Sequence, residues 1–329
     1  MEIIIHSAIL HLLDTHSEQP ILSDFLLELQ EETLQYLSTH IQKAFLNEDT
    51  KDCTLLDCSD FFQILPLAQQ DFILASKQIA EKWFSLMKQW PSIPSADLLI
   101  ILAEIHQVPC IAALKLNYKT AWIHQSQIQQ GIVNQLVSHS TVLPALNGKA
   151  DEGFFVALDG SICRILEKRY DIDQKKSAYL GKYLLQAQSG YSPREKLQKV
   201  QQAIEQVNQQ FYENTGINQP IATATILDSF CQQESTIPTT ADISQALYED
   251  LPHAKQAFIK VLEENQLSST EPIPLLPTAI KRMEKQKLKA LSGIEIKVPV
   301  EVYQDTSAIE FISNPDGTTS LLIKNIVLK

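Results

Sequence analysis

Residues 3–13 (IIIHSAILHLL) are a run of β-branched and apolar side chains, which predicts a β-strand. From Ser23, a favourable N-cap, to Phe45 the pattern changes. Phe25, Leu26, Leu29, Leu34, Leu37, Ile41 and Phe45 recur mostly at helical spacing and predict a helix. A second helix is expected over 66–89, with Phe72, Ile73, Ile79, Trp83, Leu86 and Trp90 as its buried stripe. Trp90-Pro91-Ser92-Ile93-Pro94 ends it, because proline cannot continue the hydrogen-bond ladder. Residues 97–105 and 108–118 then read as a hairpin about His106-Gln107, in a turn without glycine. Residues 153–158 and 162–166 form another about Asp159-Gly160.

Helices are expected over 174–188, 193–214, 220–233, 240–250 and 253–266, with Ser192-Pro193 as a favourable start for the second of these. A proline-rich connector covers 268–277, and a basic helix covers 278–291. Short strands follow over 294–302, 307–313 and 319–327, the last two joined by Asn314-Pro315-Asp316-Gly317. The fold class is therefore α+β. A mixed N-terminal half carries antiparallel strands and long helices, a helical middle follows, and a small β unit closes the chain. The expected boundaries are 1–170, 171–277 and 278–329.

Composition changes the picture in only a few places. The chain has 329 residues, 44% hydrophobic and 20% charged, which excludes wholesale disorder. Its longest apolar run, Leu98 to Ala103, stops at Glu104, far short of the roughly 20 residues of a membrane span. No basic leader or secretory cleavage site is visible at the start. Five scattered cysteines suggest free thiols in a reducing cytoplasm.

The net charge of −12 argues against a coat of basic residues on nucleic acid, but the charge is segregated. Segments 1–150 and 200–278 each carry −8, whereas 164–199 carries +5 and 279–297 carries +4. All four arginines lie in the two basic islands.

Enzyme motifs are scarce. Nine glycines in 329 residues leave no Gly-x-Gly, and Gly148-Lys149 is followed by Ala150 where a phosphate loop needs Ser or Thr. Cys53 and Cys58 lack the spacing of a zinc knuckle. His6, His11 and His16 recur every five residues, which on a strand alternates their faces and prevents convergence on one ion. Cys163 follows a hairpin turn and is the one candidate thiol nucleophile, without a histidine in recognisable context. Asp171 and Asp173 read as a loop and helix-capping pair rather than as catalytic carboxylates. No catalytic, cofactor-binding or metal-binding residue is assigned.

The basic islands carry the candidate chemistry. On a helix over 278–291, Lys281, Arg282, Lys285 and Lys289 fall within an arc of roughly 100°, opposite Ile280, Met283, Leu288 and Leu291. Such a cationic ridge suits phosphate-backbone contacts, although Lys287 points among the apolar residues. The plainer reading is the solvated face of a docked helix. Arg164, Lys168, Arg169, Lys175 and Lys176 are a second candidate DNA-contact group, straddling a strand and the next element.

Three stretches resemble the bacterial 37-kDa nucleoid-associated protein family (the NdpA/YejK type). They are the opening strand 3–13, the middle hairpin running into Glu167-Lys168-Arg169-Tyr170, and the C-terminal block from Lys285 to Ile326. The order and spacing fit nearly the whole chain, and the C-terminal block looks closer to the Gram-positive branch. The resemblance implies a cytoplasmic protein that co-localises with the bacterial chromosome and has no known catalytic activity. It transfers no site residues.

Together these readings describe a non-enzymatic nucleoid-associated protein. It would bind DNA through local basic patches, or dock its acidic surfaces on a basic chromosome protein such as a topoisomerase. A second copy of the chain is another candidate partner, and a membrane is not. The competing readings are an interaction protein without nucleic-acid contact and a thiol-dependent enzyme using Cys163.

Overall fold

Both faces of one antiparallel sheet are buried, which explains why its central strands read as continuous apolar runs rather than alternating ones. The computed structural model describes residues 1–128, 132–211, 227, 229–230, 237–275, 285–289, 293–299, 307–314 and 319–325. They belong to two units, Met1–Ser192 and Pro193–Lys329.

The strands of the first unit are β1 (Ile3–Leu13), β2 (Lys51–Leu55), β3 (Ala96–Ile105), β4 (Val108–Asn117), β5 (Lys119–Ile128) and β6 (Ile132–Val142). β7 (Glu152–Ala157), β8 (Cys163–Leu166), β9 (Arg169–Ile172), β10 (Lys175–Ala178) and β11 (Ala187–Ser189) follow. Seven of them make the sheet, in the order β1-β3-β4-β7-β8-β2-β11. Its helices are α1 (Glu31–Phe45), α2 (Phe61–Gln70) and α3 (Phe72–Gln89). Phe154 and Phe155 are adjacent on β7 and both buried, but they enter different cores. Phe154 meets Phe61 of α2 edge-on and stacks near Trp83 of α3, whereas Phe155 packs edge-on against Phe45 at the end of α1. Both expected hairpins form. The first turns through His106 (φ 51°) and Gln107 (φ 65°), two non-glycine residues in the left-handed region, and the second through Gly160 (φ 76°).

Several expectations are corrected. The helix expected from Ser23 begins only at Glu31. Ser23 Oγ donates to the Leu10 carbonyl at 2.5 Å and Leu27 N–H to Ala8 at 2.8 Å, which ties this stretch to β1 and leaves Ser23 unable to cap a helix. The single helix expected over 66–89 is two, parted at Asp71, whose carboxylate caps α3 by accepting from Leu74 N–H at 3.0 Å. Pro66 lies inside α2 instead of starting a helix. The helix expected over 174–188 is instead β10, a π-helical turn (Leu180–Leu185) and β11. Pairing of β10 with β9 claims the first part, and Gln186 at φ 51° ends the turn. Cys53 and Cys163 are not free thiols: they are cross-strand partners of β2 and β8, with Cα atoms 5.1 Å apart, and are disulfide-bonded. Cys163 is therefore buried and bonded, which removes the nucleophile that the thiol-enzyme reading needs.

The second unit contains α4 (Pro193–Phe211), α5 (Thr240–Tyr248) and α6 (Pro252–Glu264), near three of the expected helices. Of the helix expected over 220–233, only positions 227, 229 and 230 are described. α6 packs on both α4 and α5, burying Val200, Val207, Ile243 and Phe258. Thr239 and Asp242 form a reciprocal capping box at the start of α5. Lys196 of α4 pairs with Glu271 at 2.7 Å and so pins the proline-rich connector. The remaining strands are β12 (Lys285–Lys289), β13 (Glu295–Pro299), β14 (Ile309–Ser313) and β15 (Thr319–Ile323), paired β12–β13 and β14–β15. Among the described residues, no helix is long and apolar enough to cross a membrane.

His11 links β1 to its surroundings and fixes a pH response. Its Nδ1 accepts from Ser23 N–H at 3.1 Å, and its Nε2 lies 3.0 Å from Ser76 Oγ, whose own proton goes to the Ile73 carbonyl. The ring is thus held neutral with the proton on Nε2. Burial, then the nearby Lys77 charge, lowers its pKa from 6.5 to about 4. Because the folded value lies below the unfolded one, protons favour the unfolded chain. This group's stabilisation is full above pH 6.5 and is lost as pH falls through about 4. Thermal melts between pH 7.5 and 4 are expected to show an acid-sensitive component that His11→Gln removes; identical pH profiles would contradict this assignment.

Candidate nucleic-acid interface

The candidate residues of the first basic island lie on β8, just after it, and on the β9–β10 hairpin. Arg164 on β8 is tied into the fold: its guanidinium donates to the Phe45 carbonyl at 3.0 Å, lies 2.9 Å from Asp52 and covers the Phe45 ring at 4.4 Å. Lys168 is half exposed and pairs with Asp151 at 2.5 Å. It lines a cleft with Lys119 and Lys149, where Asp49, Asp151 and Glu167 supply as many carboxylates as there are ammoniums. That balance leaves little net field for a phosphate.

Arg169, Lys175 and Lys176 are exposed on the hairpin. The register puts Arg169 opposite Ala178 and Lys176 opposite Asp171, so Arg169 and Lys176 share a face, with Lys175 on the other. Asp171 and Asp173 stand beside them, Asp173 within the turn at φ 49°. No helix follows these two aspartates, so the capping role expected of them does not arise. Lys182, not among the candidates drawn from the sequence, is exposed on the π-helical turn with its ammonium 4.8 Å from the Tyr183 ring centre.

The hairpin is anchored by a buried polar cluster. Lys115 of β4 and Glu152 of β7 are fully enclosed and 3.1 Å apart. Tyr170 and Tyr179 donate to the same Glu152 oxygen at 3.0 and 3.2 Å, and Trp83 Nε1 donates to the Tyr179 hydroxyl at 2.8 Å. Burial, reinforced by the Glu152 charge, raises both tyrosine pKa values, so both hydroxyls stay protonated and donate. Burial pulls the Lys115 ammonium below its ordinary pKa, while Glu152 opposes that shift. Asn117 Oδ1, at 2.6 Å, gives Lys115 a second acceptor.

The second island departs furthest from expectation. Lys281 and Arg282 lie outside the described residues. Lys285 and Lys289 lie on β12, not on a helix, so the four-residue helical ridge is corrected. The stretch pairs along its length with β13: Lys285↔Pro299, Lys287↔Lys297 and Lys289↔Glu295. Strand alternation then puts positions 285, 287, 289 and 297 on one face, together with Glu295. Lys287, the misfit of the helical pattern, falls into line. A period of two in KQKLK was the available signal.

The buried cluster makes a separable prediction. Glu152→Gln leaves the Lys115 ammonium enclosed without its carboxylate, which is expected to cost about 3–5 kcal/mol in denaturant unfolding. Combining it with Lys115→Met is expected to cost less than Glu152→Gln alone. Hydrogen exchange over 169–178 is expected to rise selectively in Glu152→Gln; an unchanged hairpin there would show that the cluster does not anchor it.

No curated protein matches the chain. The family described as nucleoid-associated protein YejK matches residues 9–328, a span that includes the sheet from Ile9 onward, the β9–β10 hairpin and the β12–β13 ribbon. The chain belongs to that nucleoid-associated protein family.

Proposed function

We propose that this protein, whose family supports a nucleoid-associated role, contacts DNA directly through local basic patches while its acidic bulk stays off the duplex. The observation that carries this reading is the β12–β13 register, which aligns Lys285, Lys287, Lys289 and Lys297 on one ribbon face with a single acid, Glu295. A row of lysines on a strand follows a phosphate backbone as point charges, without reading base edges. Lys281 and Arg282 extend the same basic stretch in sequence, and Arg169, Lys175 and Lys176 form a weaker second patch diluted by Asp171 and Asp173. Nothing in this arrangement calls for a reaction, a cofactor or a metal.

The segregated charge favours a second route to the chromosome. The segments 1–150 and 200–278, at −8 each, offer acidic surface to a basic chromosome protein, a topoisomerase being one of suitable charge.

Fluorescence anisotropy on duplex DNA between about 50 and 200 mM salt tests the direct route. Changing Lys285, Lys287, Lys289 and Lys297 together to Glu is expected to weaken binding and to flatten the log–log salt slope by about 0.9 per lost phosphate contact. The same change at Arg169, Lys175 and Lys176 is expected to have a smaller effect. Wild-type affinity in the quadruple variant would reject the ribbon as the DNA-contacting face. If the wild type itself fails to bind at low salt, direct contact is abandoned and the protein-docked route remains.

A further inference from the structure

β5 and β6 form a two-stranded ribbon that hydrogen-bonds to no other described strand. The register sets Trp122 opposite Ser138, His124 opposite Leu136, and Ile128 opposite Ile132 on one face. Four apolar residues of that face are open to solvent: Trp122 is 69% exposed, Leu136 75%, Ile128 87% and Ile132 76%. Ile123 and Val133 add exposed apolar surface on the other face. An isolated two-stranded ribbon is marginal in water, and a long apolar ribbon with open edges invites pairing unless something covers it. The four residues of the first face present on the order of 600 Å² of surface, most of the roughly 800 Å² that each partner contributes to a standard interface.

The charge pattern selects the occupant. Between Lys119 and Lys149 there are 29 consecutive residues without Asp, Glu, Lys or Arg, in a chain where one residue in five is charged. Beyond Lys119 at its start the ribbon has no Lys or Arg to attract phosphate, and with no Asp or Glu it offers a basic protein no countercharge. Two copies of a chain carrying −12 repel each other, so a contact between copies has to fall where charge is missing. A twofold contact here sets against itself a face on which Trp122, Ile128, Ile132 and Leu136 alternate with His124, Ser126, Asn134 and Ser138, with no like-charged Asp, Glu, Lys or Arg brought together. We propose that the β5–β6 ribbon is a dimerisation arm whose Trp122, Ile128, Ile132 and Leu136 face packs on the same face of a second copy. This pairing doubles the number of basic patches per assembly and is independent of whether those patches touch DNA.

Sedimentation equilibrium of the full-length chain tests it. The wild type is expected at twice the 37.1-kDa chain mass. Trp122→Gln, Ile128→Gln and Leu136→Gln together are expected to raise the dimer dissociation constant by at least ~100-fold, with circular dichroism unchanged. Tryptophan quenching supplies a readout on the unaltered protein, because Trp83 and Trp90 are buried and Trp122 alone is open. Acrylamide access to Trp122 is expected to be low in concentrated protein and to rise on dilution. A wild type that sediments as a monomer at its highest soluble concentration overturns the proposal, as does a triple variant that remains dimeric. Shielding of Trp122 that appears only when duplex DNA or a basic protein is added overturns it equally, in favour of that partner.

Discussion

A buried ion pair holds the first unit's surface features in place. Lys115 and Glu152 sit side by side on adjacent strands with no solvent exposure, an arrangement that is unfavourable unless every lone pair and proton finds a partner. Two tyrosines, an asparagine and, at one remove, a tryptophan supply those partners. Tyr170 belongs to the β9–β10 hairpin, Tyr179 to the turn that follows it, and Trp83 to α3. Satisfying one carboxylate therefore fixes the position of a helix, a sheet and a surface hairpin together. Arg169, Lys175 and Lys176 stand where they do because Tyr170 and buried Ile172 hold the hairpin down.

Charge in this chain is organised by neutralisation. In the first unit Arg164 faces Asp52 and Lys168 faces Asp151, both carboxylates from outside 164–199, so two of the charges behind its +5 are cancelled locally. On β12–β13 the register places positions 285, 287, 289 and 297 on one face with Glu295. The β5–β6 ribbon is a third kind of surface, without Asp, Glu, Lys or Arg beyond Lys119 at its start. A nucleoid-associated protein of net −12 is thus physically consistent, because its charge is segregated along the chain into acidic segments, two basic islands and one stretch, 120–148, without Asp, Glu, Lys or Arg.

Much of this was legible from local pattern. The apolar run of β1, the two hairpins with turns at His106-Gln107 and Asp159-Gly160, and the C-terminal strands all follow from spacing and turn chemistry. The family likeness was carried by the order of the same pieces, and the match over residues 9–328 bears it out. Failures came where a tertiary partner overrode a periodic pattern. Residues 23–30 carry helical spacing, yet their backbone bonds to β1. Residues 175–178 pair with β9 instead of joining a helix. KQKLK satisfies a helical ridge and a strand alternation equally well over five residues, and only a pairing partner at 295–299 decides between them.

The sequence by itself determined the fold class, the segregation of charge into two basic islands and the poverty of catalytic motifs, because composition and short-range spacing suffice for each. Tertiary structure alone decided which carboxylate each of several basic residues meets. Whether a lysine or arginine is spent on a carboxylate, as Arg164 is on Asp52, depends on residues about a hundred positions away. It also decided that Cys53 and Cys163 meet, across 110 residues, and that Lys115 and Glu152 share one buried site. Strand pairing brings distant positions within bonding reach, and nothing in local spacing records which partner will arrive.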